Sequence, residues 1–182
     1  MKATGIVRRI DDLGRVVVPK EIRRTLRIRE GDPLEIYTLG EGEIVLKKYS
    51  PMGEMWQLAE RFAEVLAKEI KGLAVITDRD QVIASAGTGK KNYEQHRVSK
   101  QLEEAMNDRA RYLTGKGKPS YIPIVESDPM ELEEQIICTI LSEGEAIGAV
   151  ILYGKSLGSL TEADYKLAAA TSDFLGGHLE IY

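Results

Sequence analysis

Four arginines are the residues of this chain best equipped to hold a partner. Arg8 and Arg15 flank one short turn, and Arg23 and Arg24 follow on the adjoining segment. A guanidinium is planar, permanently charged and fork-shaped, so it grips phosphate oxygens and guanine edges bidentately, best from a rigid element. Their surroundings share the charge. Residues 1–29 hold nine Lys/Arg against three Asp/Glu, whereas residues 51–182 hold 14 basic against 21 acidic side chains, within a chain of net charge −4. A basic end on an acidic remainder points to a polyanion-binding module, with double-stranded DNA as the partner, joined to a differently employed body.

Catalytic sets are scarce. His96 and His178 fall on predicted helices far apart, without the spacing of a metalloprotease motif. Gly87-Thr88-Gly89-Lys90 fails the phosphate-loop pattern, because Ala84 stands where its first glycine belongs and Lys91 where Ser or Thr should follow, so it reads as a turn. The single cysteine, Cys138, lies in an apolar run and reads as a buried, inert thiol; alone it permits neither an intramolecular disulfide nor a four-ligand zinc site. No enzyme, no metal and no cofactor are expected.

The elements that must position the arginines are short. Residues 4–10 and 15–18 read as strands around the turn Asp11-Asp12-Leu13-Gly14. Pro19 opens a helix, Lys20–Leu26, whose Ile22 and Leu26 share one face and leave Arg23 and Arg24 toward solvent. Leu34–Leu39 and Glu43–Lys48 are strands joined by Gly40-Glu41-Gly42. This first unit, residues 1–50, is too small to bury a sufficient core, and Val16-Val17-Val18 leaves apolar groups on both faces; an obligate homodimer is expected.

A connecting helix over 51–72 carries Met52, Met55, Ala59, Phe62 and Leu66 at 3-4-3-4 spacing, which suits a core-facing stripe or a seam with another chain. From residue 73 to 182 the pattern is α+β. Strands are expected at Leu73–Thr77, Gln81–Ser85, Pro119–Val125, Gln135–Leu141 and Ala146–Tyr153, with a helix over Glu94–Arg111. Thr161 with Asp164 starts a final helix over 162–182, whose Leu167, Thr171, Leu175 and Leu179 form a second stripe. The two stripes predict a tetramer through helices 52–71 and 162–182. At 43% hydrophobic residues the chain is no disordered polymer, and no apolar run approaches the roughly 20 residues of a membrane span. Without an apolar leader in MKATGIVRRIDD, a soluble cytoplasmic protein with no membrane partner is expected.

Thr4-Gly5-Ile6-Val7-Arg8, Asp12 through Pro19, Ile22-Arg23-Arg24-Thr25-Leu26, Gly31-Asp32 and Leu34-Glu35-Ile36-Tyr37 together resemble the AbrB family of bacterial transition-state regulators. That resemblance implies a swapped-hairpin dimer that binds DNA through Arg8, Arg15, Arg23 and Arg24, with Lys2, Arg9 and Lys20 as supporting phosphate contacts. Residues 73–179 resemble a GAF domain, most clearly in Glu143–Leu152. GAF domains often hold a small molecule between sheet and helices, but no ligand motif carries over residue by residue. The implied protein is a nucleoid-associated activator and repressor of sporulation genes, whose GAF-like domain serves ligand sensing, through an unidentified small molecule, or tetramer assembly, or both. The alternative is an antitoxin, since swapped-hairpin DNA binders also occur in toxin–antitoxin pairs. Its toxin-wrapping tail would be short, acidic and unfolded, whereas over 100 core-forming residues follow here.

Overall fold

A computed structural model describes residues 5–179. Lys2, Thr4 and positions 180–182 of the expected last helix lie outside that range. The chain divides into two compact units, 1–49 and 50–182.

In the first unit Pro19 is the residue before the helix, its φ of −58° and ψ of 148° leading into α1 (Lys20–Thr25). Strands β1 (Leu34–Leu39) and β2 (Glu43–Lys48) pair antiparallel from Leu34↔Lys48 to Leu39↔Glu43. Residues 5–10 and 15–18, expected as strands, belong to no ladder. Their only mutual backbone bond is Asp11 N–H to Arg15 C=O, closed by Gly14 N–H to Asp11 C=O with Gly14 at φ 77°. Among the described residues β1 and β2 pair only with each other, and a two-stranded sheet of this size is marginal without a further strand.

The second unit is a three-layer sandwich around a five-stranded antiparallel sheet of order β4-β3-β7-β6-β5. Its strands are β3 (Leu73–Asp78), β4 (Val82–Gly87), β5 (Arg111–Gly115), β6 (Glu134–Ser142) and β7 (Glu145–Gly154). Helices α2 (Pro51–Glu54), α3 (Trp56–Ile70) and α5 (Glu162–Leu179) cover one face, and α4 (Lys100–Asn107) with the loops around it covers the other. Strand alternation feeds both layers. Ile136, Cys138, Ile140, Val150 and Leu152 enter the α3/α5 core, while Ile137, Ala149, Ile151 and Tyr153 enter the α4 core. A strand buried on both faces has no polar side, which is why β6 and β7 read as unbroken apolar runs.

Several expectations change. The 52–71 helix is interrupted at Met55, whose N–H reaches back only three residues to Met52 C=O. The expected helix over Glu94–Arg111 shrinks to α4. Ser99 Oγ accepts Leu102 N–H at 3.0 Å and starts the helix there, while Val98 is held extended by bridging Val125. His96 therefore lies on no helix. At its other end Arg109 takes φ 55° and the chain turns into β5, a strand that overlaps the expected helix only at Arg111 and that the sequence reading lacks. Pro119–Val125 is no strand, contributing only the Val125 bridge. The two apolar stripes face their own sheet, with Met52, Met55, Ala59, Leu66, Thr171 and Leu175 buried beneath it. What they leave outside is Trp56, 49% exposed, and Phe174, 51% exposed, the latter stacked between Phe62 and His178.

Candidate nucleic-acid interface

The chain's basic residues sort by exposure. Arg8, Arg9, Arg15, Lys20, Arg23 and Arg24 are all exposed, whereas Arg27 and Arg29 are half-buried and carry partners. Arg23 and Arg24 occupy the outer face of α1 in its last turn. The loop after that helix is pinned by one carboxylate: Asp32 Oδ2 accepts Arg29 N–H at 2.8 Å and meets Lys48 Nζ at 3.1 Å, while Lys48 also donates to Arg27 C=O at 3.0 Å. Burial raises the Asp32 carboxyl, but the Arg29 amide and the Lys48 ammonium outweigh it and hold the group below its ordinary range. The half-buried basic residues are thus scaffold for the exposed ones.

Arg15 is oriented by its own turn. Asp11 Oδ1 accepts the N–H groups of Leu13 and Arg15, and Asp11 Oδ2 accepts Arg15 Nε–H at 2.8 Å. The Arg15 amide, then its guanidinium, keep the exposed Asp11 carboxyl below its usual value. With Nε committed, the Arg15 terminal nitrogens remain for a ligand. Arg8 borders an apolar cleft of about 360 Å³ formed by Ile6, Val16–Val18, Pro19, Ile22 and Leu46 among others, so its segment and α1 lie side by side. Apolar groups around this unit are bare, from Val7 at 85% to Ile44 at 64% exposure. Scattered exposed apolar residues are ordinary, but a cleft ringed by them marks a face meant to be covered.

In the second unit the α4 layer is closed by a polar lock invisible in the sequence. The Asp128 carboxylate accepts four bonds, from Tyr93 Oη–H and Tyr153 Oη–H at 3.0 Å and from the Ile124 and Met130 amides at 2.9 Å. Gln135 completes it, donating to Tyr153 Oη and Ile122 C=O and accepting Ile122 N–H. Burial raises the Tyr93 and Tyr153 phenols far above their ordinary value, with the Asp128 charge adding to it, and Tyr121 is pushed up to about 12. Cys138 is fully buried and its thiol is pushed up to about 11, mainly by that burial.

A small basic hairpin-and-helix unit followed by a helix-sheet-helix sandwich makes a two-part protein. Residues 54–180 match the family model described as "Stage V sporulation protein T C-terminal, transcription factor", and residues 7–54 match that of "Antidote-toxin recognition MazE, bacterial antitoxin". The chain is 43% identical over 180 residues to stage V sporulation protein T of Bacillus subtilis (strain 168), covering 99% of each. It is 65% identical over 51 residues to the transition state regulatory protein AbrB of the same organism, covering 28% of this chain and 52% of AbrB. Among solved structures, the GAF domain region of a membrane protein from Geobacter sulfurreducens PCA superposes with a TM-score of 0.53 at 17% identity, over 72% of this chain and 97% of that one. The GAF domain of the Acinetobacter phosphoenolpyruvate-protein phosphotransferase gives 0.55 at 11% identity, over 73% and 84%. These likenesses establish a GAF fold. The chain belongs to the stage V sporulation protein T family, a transcription regulator of sporulation genes with an AbrB-like N-terminal and a GAF-like C-terminal domain. The antitoxin reading is the weaker one, since the chain continues past the MazE match into a domain with two cores.

Proposed function

We propose that residues 1–50 bind double-stranded DNA as a homodimer, with Arg8, Arg15, Arg23 and Arg24 as the main contacts and Lys2, Arg9 and Lys20 in support. The observation that carries this reading is the sorting of the basic residues: those on the turn and on α1 are exposed, while Arg27 and Arg29 are tied into the scaffold. A second copy supplies what the bare apolar cleft and the unpaired segments 5–10 and 15–18 lack, and doubles the four guanidinium groups on one two-fold surface. The transition state regulatory protein AbrB, 65% identical over the 51 residues that match, supports the same assignment. Helix 51–72 links this reader to the domain at 73–182. That domain assembles two dimers into a tetramer through the helices at 52–71 and 162–182, now by their outer residues Trp56 and Phe174. The protein works in the cytoplasm on the nucleoid, activating some genes and repressing others, without catalysis of its own; no helix among the described residues is long and apolar enough to cross a membrane.

Affinity comes from phosphate contacts and specificity in part from DNA shape. With about six phosphates neutralised, affinity falls roughly 10³-fold between 50 and 200 mM salt. Fluorescence anisotropy with a promoter-derived duplex, titrated over salt, tests it. Arg8→Ala should weaken binding and make the salt slope shallower. Binding no stronger than that of a neutral control protein at low salt would refute the assignment.

A further inference from the structure

The C-terminal sheet ends at β4, and that edge is only partly covered. Val82 N–H donates to His96 C=O at 2.9 Å, and Gln81 bridges Arg97, so the start of the strand has a neighbour. At Ile83 the pairing slips, with Thr77 opposite Val82 but Ile76 opposite Ala84, and such a bulge twists an edge out of reach of a partner. Beyond it, Ala84–Gly87 bond to β3 alone among described backbone groups; the outer side receives one long contact, Ser85 Oγ–H to Lys90 C=O at 3.4 Å.

Beside this open stretch lies a groove of about 700 Å³. One wall is α3 and the other is the segment from Lys90 to Gln95. The far wall is electrically settled, because Lys90 Nζ and Glu94 Oε1 pair at 3.3 Å. The near wall presents Glu60, Glu64 and Lys68, all exposed and each one helical turn from the next, and neither carboxylate has a hydrogen-bond or ion-pair partner among the described residues. Ala67 packs against Gly87, so these two carboxylates lie back toward the Val82 end of the groove.

We propose that this groove receives an extended peptide segment of a partner protein, which joins β4 as a sixth strand and sets a Lys or Arg against Glu60 and Glu64. Unpaired N–H and C=O groups on an edge template another strand, and main-chain pairing with side-chain pockets is a recurrent mode of peptide recognition. Ala84–Gly87 offers about 13 Å of ladder, enough for a four-residue core of such a peptide. Two carboxylates against the one ammonium of Lys68 leave this wall net negative, which favours a basic side chain over an acidic one. None of this depends on the arginines of the N-terminal unit.

The test uses the full-length protein and a fluorescein-labelled hexapeptide alternating Val and Lys. Its affinity should fall about tenfold or more when alternate amides are N-methylated, and again when Glu replaces Lys. The double variant Glu60→Gln/Glu64→Gln should weaken the unmodified peptide several-fold while leaving the melting temperature unchanged. Equal binding of the N-methylated peptide, or no effect of the double variant, overturns the proposal. So does absence of binding together with a lower solution mass for Ser85→Lys, which would assign the edge to a second copy of this chain. DNA binding measured on the same preparation separates failure here from failure of the DNA-binding assignment.

Discussion

Replacing Asp128 by Ala removes one carboxylate on which four donors converge, two phenols and two amides from three separate stretches of chain. A hydrogen bond to a charged acceptor contributes about 1.5–3 kcal/mol. Four of them do not add, because Asp128 is only half-buried and water reaches part of the vacated site. The phenol of Tyr153, 1% exposed, keeps only its bond from Gln135, and the inner donors bear most of the loss. A cost of about 3–5 kcal/mol follows, the range for breaking a buried charged network. For a domain of roughly 130 residues each kcal/mol moves the melting temperature by about 3–5 °C, so the transition should drop by about 10–20 °C. Tyr93→Phe deletes one donor and should cost about a third as much. Calorimetry of the full-length protein gives the shift, and amide exchange should show protection lost first over residues 116–133. A fall of under about 3 °C with exchange unchanged over that stretch would mean the lock does not hold the α4 layer shut.

Three further outcomes follow from single atoms. A Cβ on Gly176 would sit 1.9 Å from Leu141 O, and one on Gly148 would sit 2.1 Å from Thr77 O, whereas Gly177 has open space around it. Gly176→Ala and Gly148→Ala should therefore each cost about 2 kcal/mol or more while Gly177→Ala is neutral or better, read by urea denaturation; equal midpoints for all three would contradict the packing. Thr77 is fully buried, and its hydroxyl is the one buried side-chain polar atom without a partner among the described residues, so Thr77→Val should gain up to about 1 kcal/mol, and a loss would reveal an unseen acceptor. Burial raises the Asp78 carboxyl above its ordinary value despite bonds from the Asp80 and Gln81 amides and the Ser50 hydroxyl. A raised carboxyl binds its proton more tightly when folded, so its contribution is complete below the unfolded value near 3.8 and declines as pH rises through the folded one. Asp78→Asn should gain on the parent between pH 4 and pH 7 in thermal scans; a melting temperature of the variant minus that of the parent that falls as pH rises would reverse the sign.

Much of this molecule was readable locally because its signals are local. The ends of β1 and β2 coincide with those expected from alternation and a glycine turn. The β6–β7 hairpin turns on Glu143 and Gly144, at φ 49° and 81°, as a two-residue connection requires. Thr161 and Asp164 exchange the hydrogen bonds of a capping box at the start of α5. Arg23 and Arg24 project from α1 because Ile22 takes its inner face, a consequence of helical period alone. That much of the candidate interface is written in the spacing of its residues, and the pinning of Asp32 by Lys48 is not.

Tertiary structure decided everything that needs a distant partner. Residues 5–10 and 15–18 have strand-forming composition, yet a ladder needs a partner strand, and among the described residues they pair with none. The helical reading ends on Arg111 and leaves 112–115 without an element; pairing with β6, 19 to 27 positions further on, draws Arg111–Gly115 into the sheet. Tyr93, Asp128 and Tyr153 are separated by 25 to 35 positions, and only the folded sheet brings their oxygens to 3.0 Å. The apolar stripes of α3 and α5 were plain in the sequence, but periodicity marks a face without naming what it meets. The sheet claimed those faces, since burying them within the chain avoids the entropy a second molecule would lose.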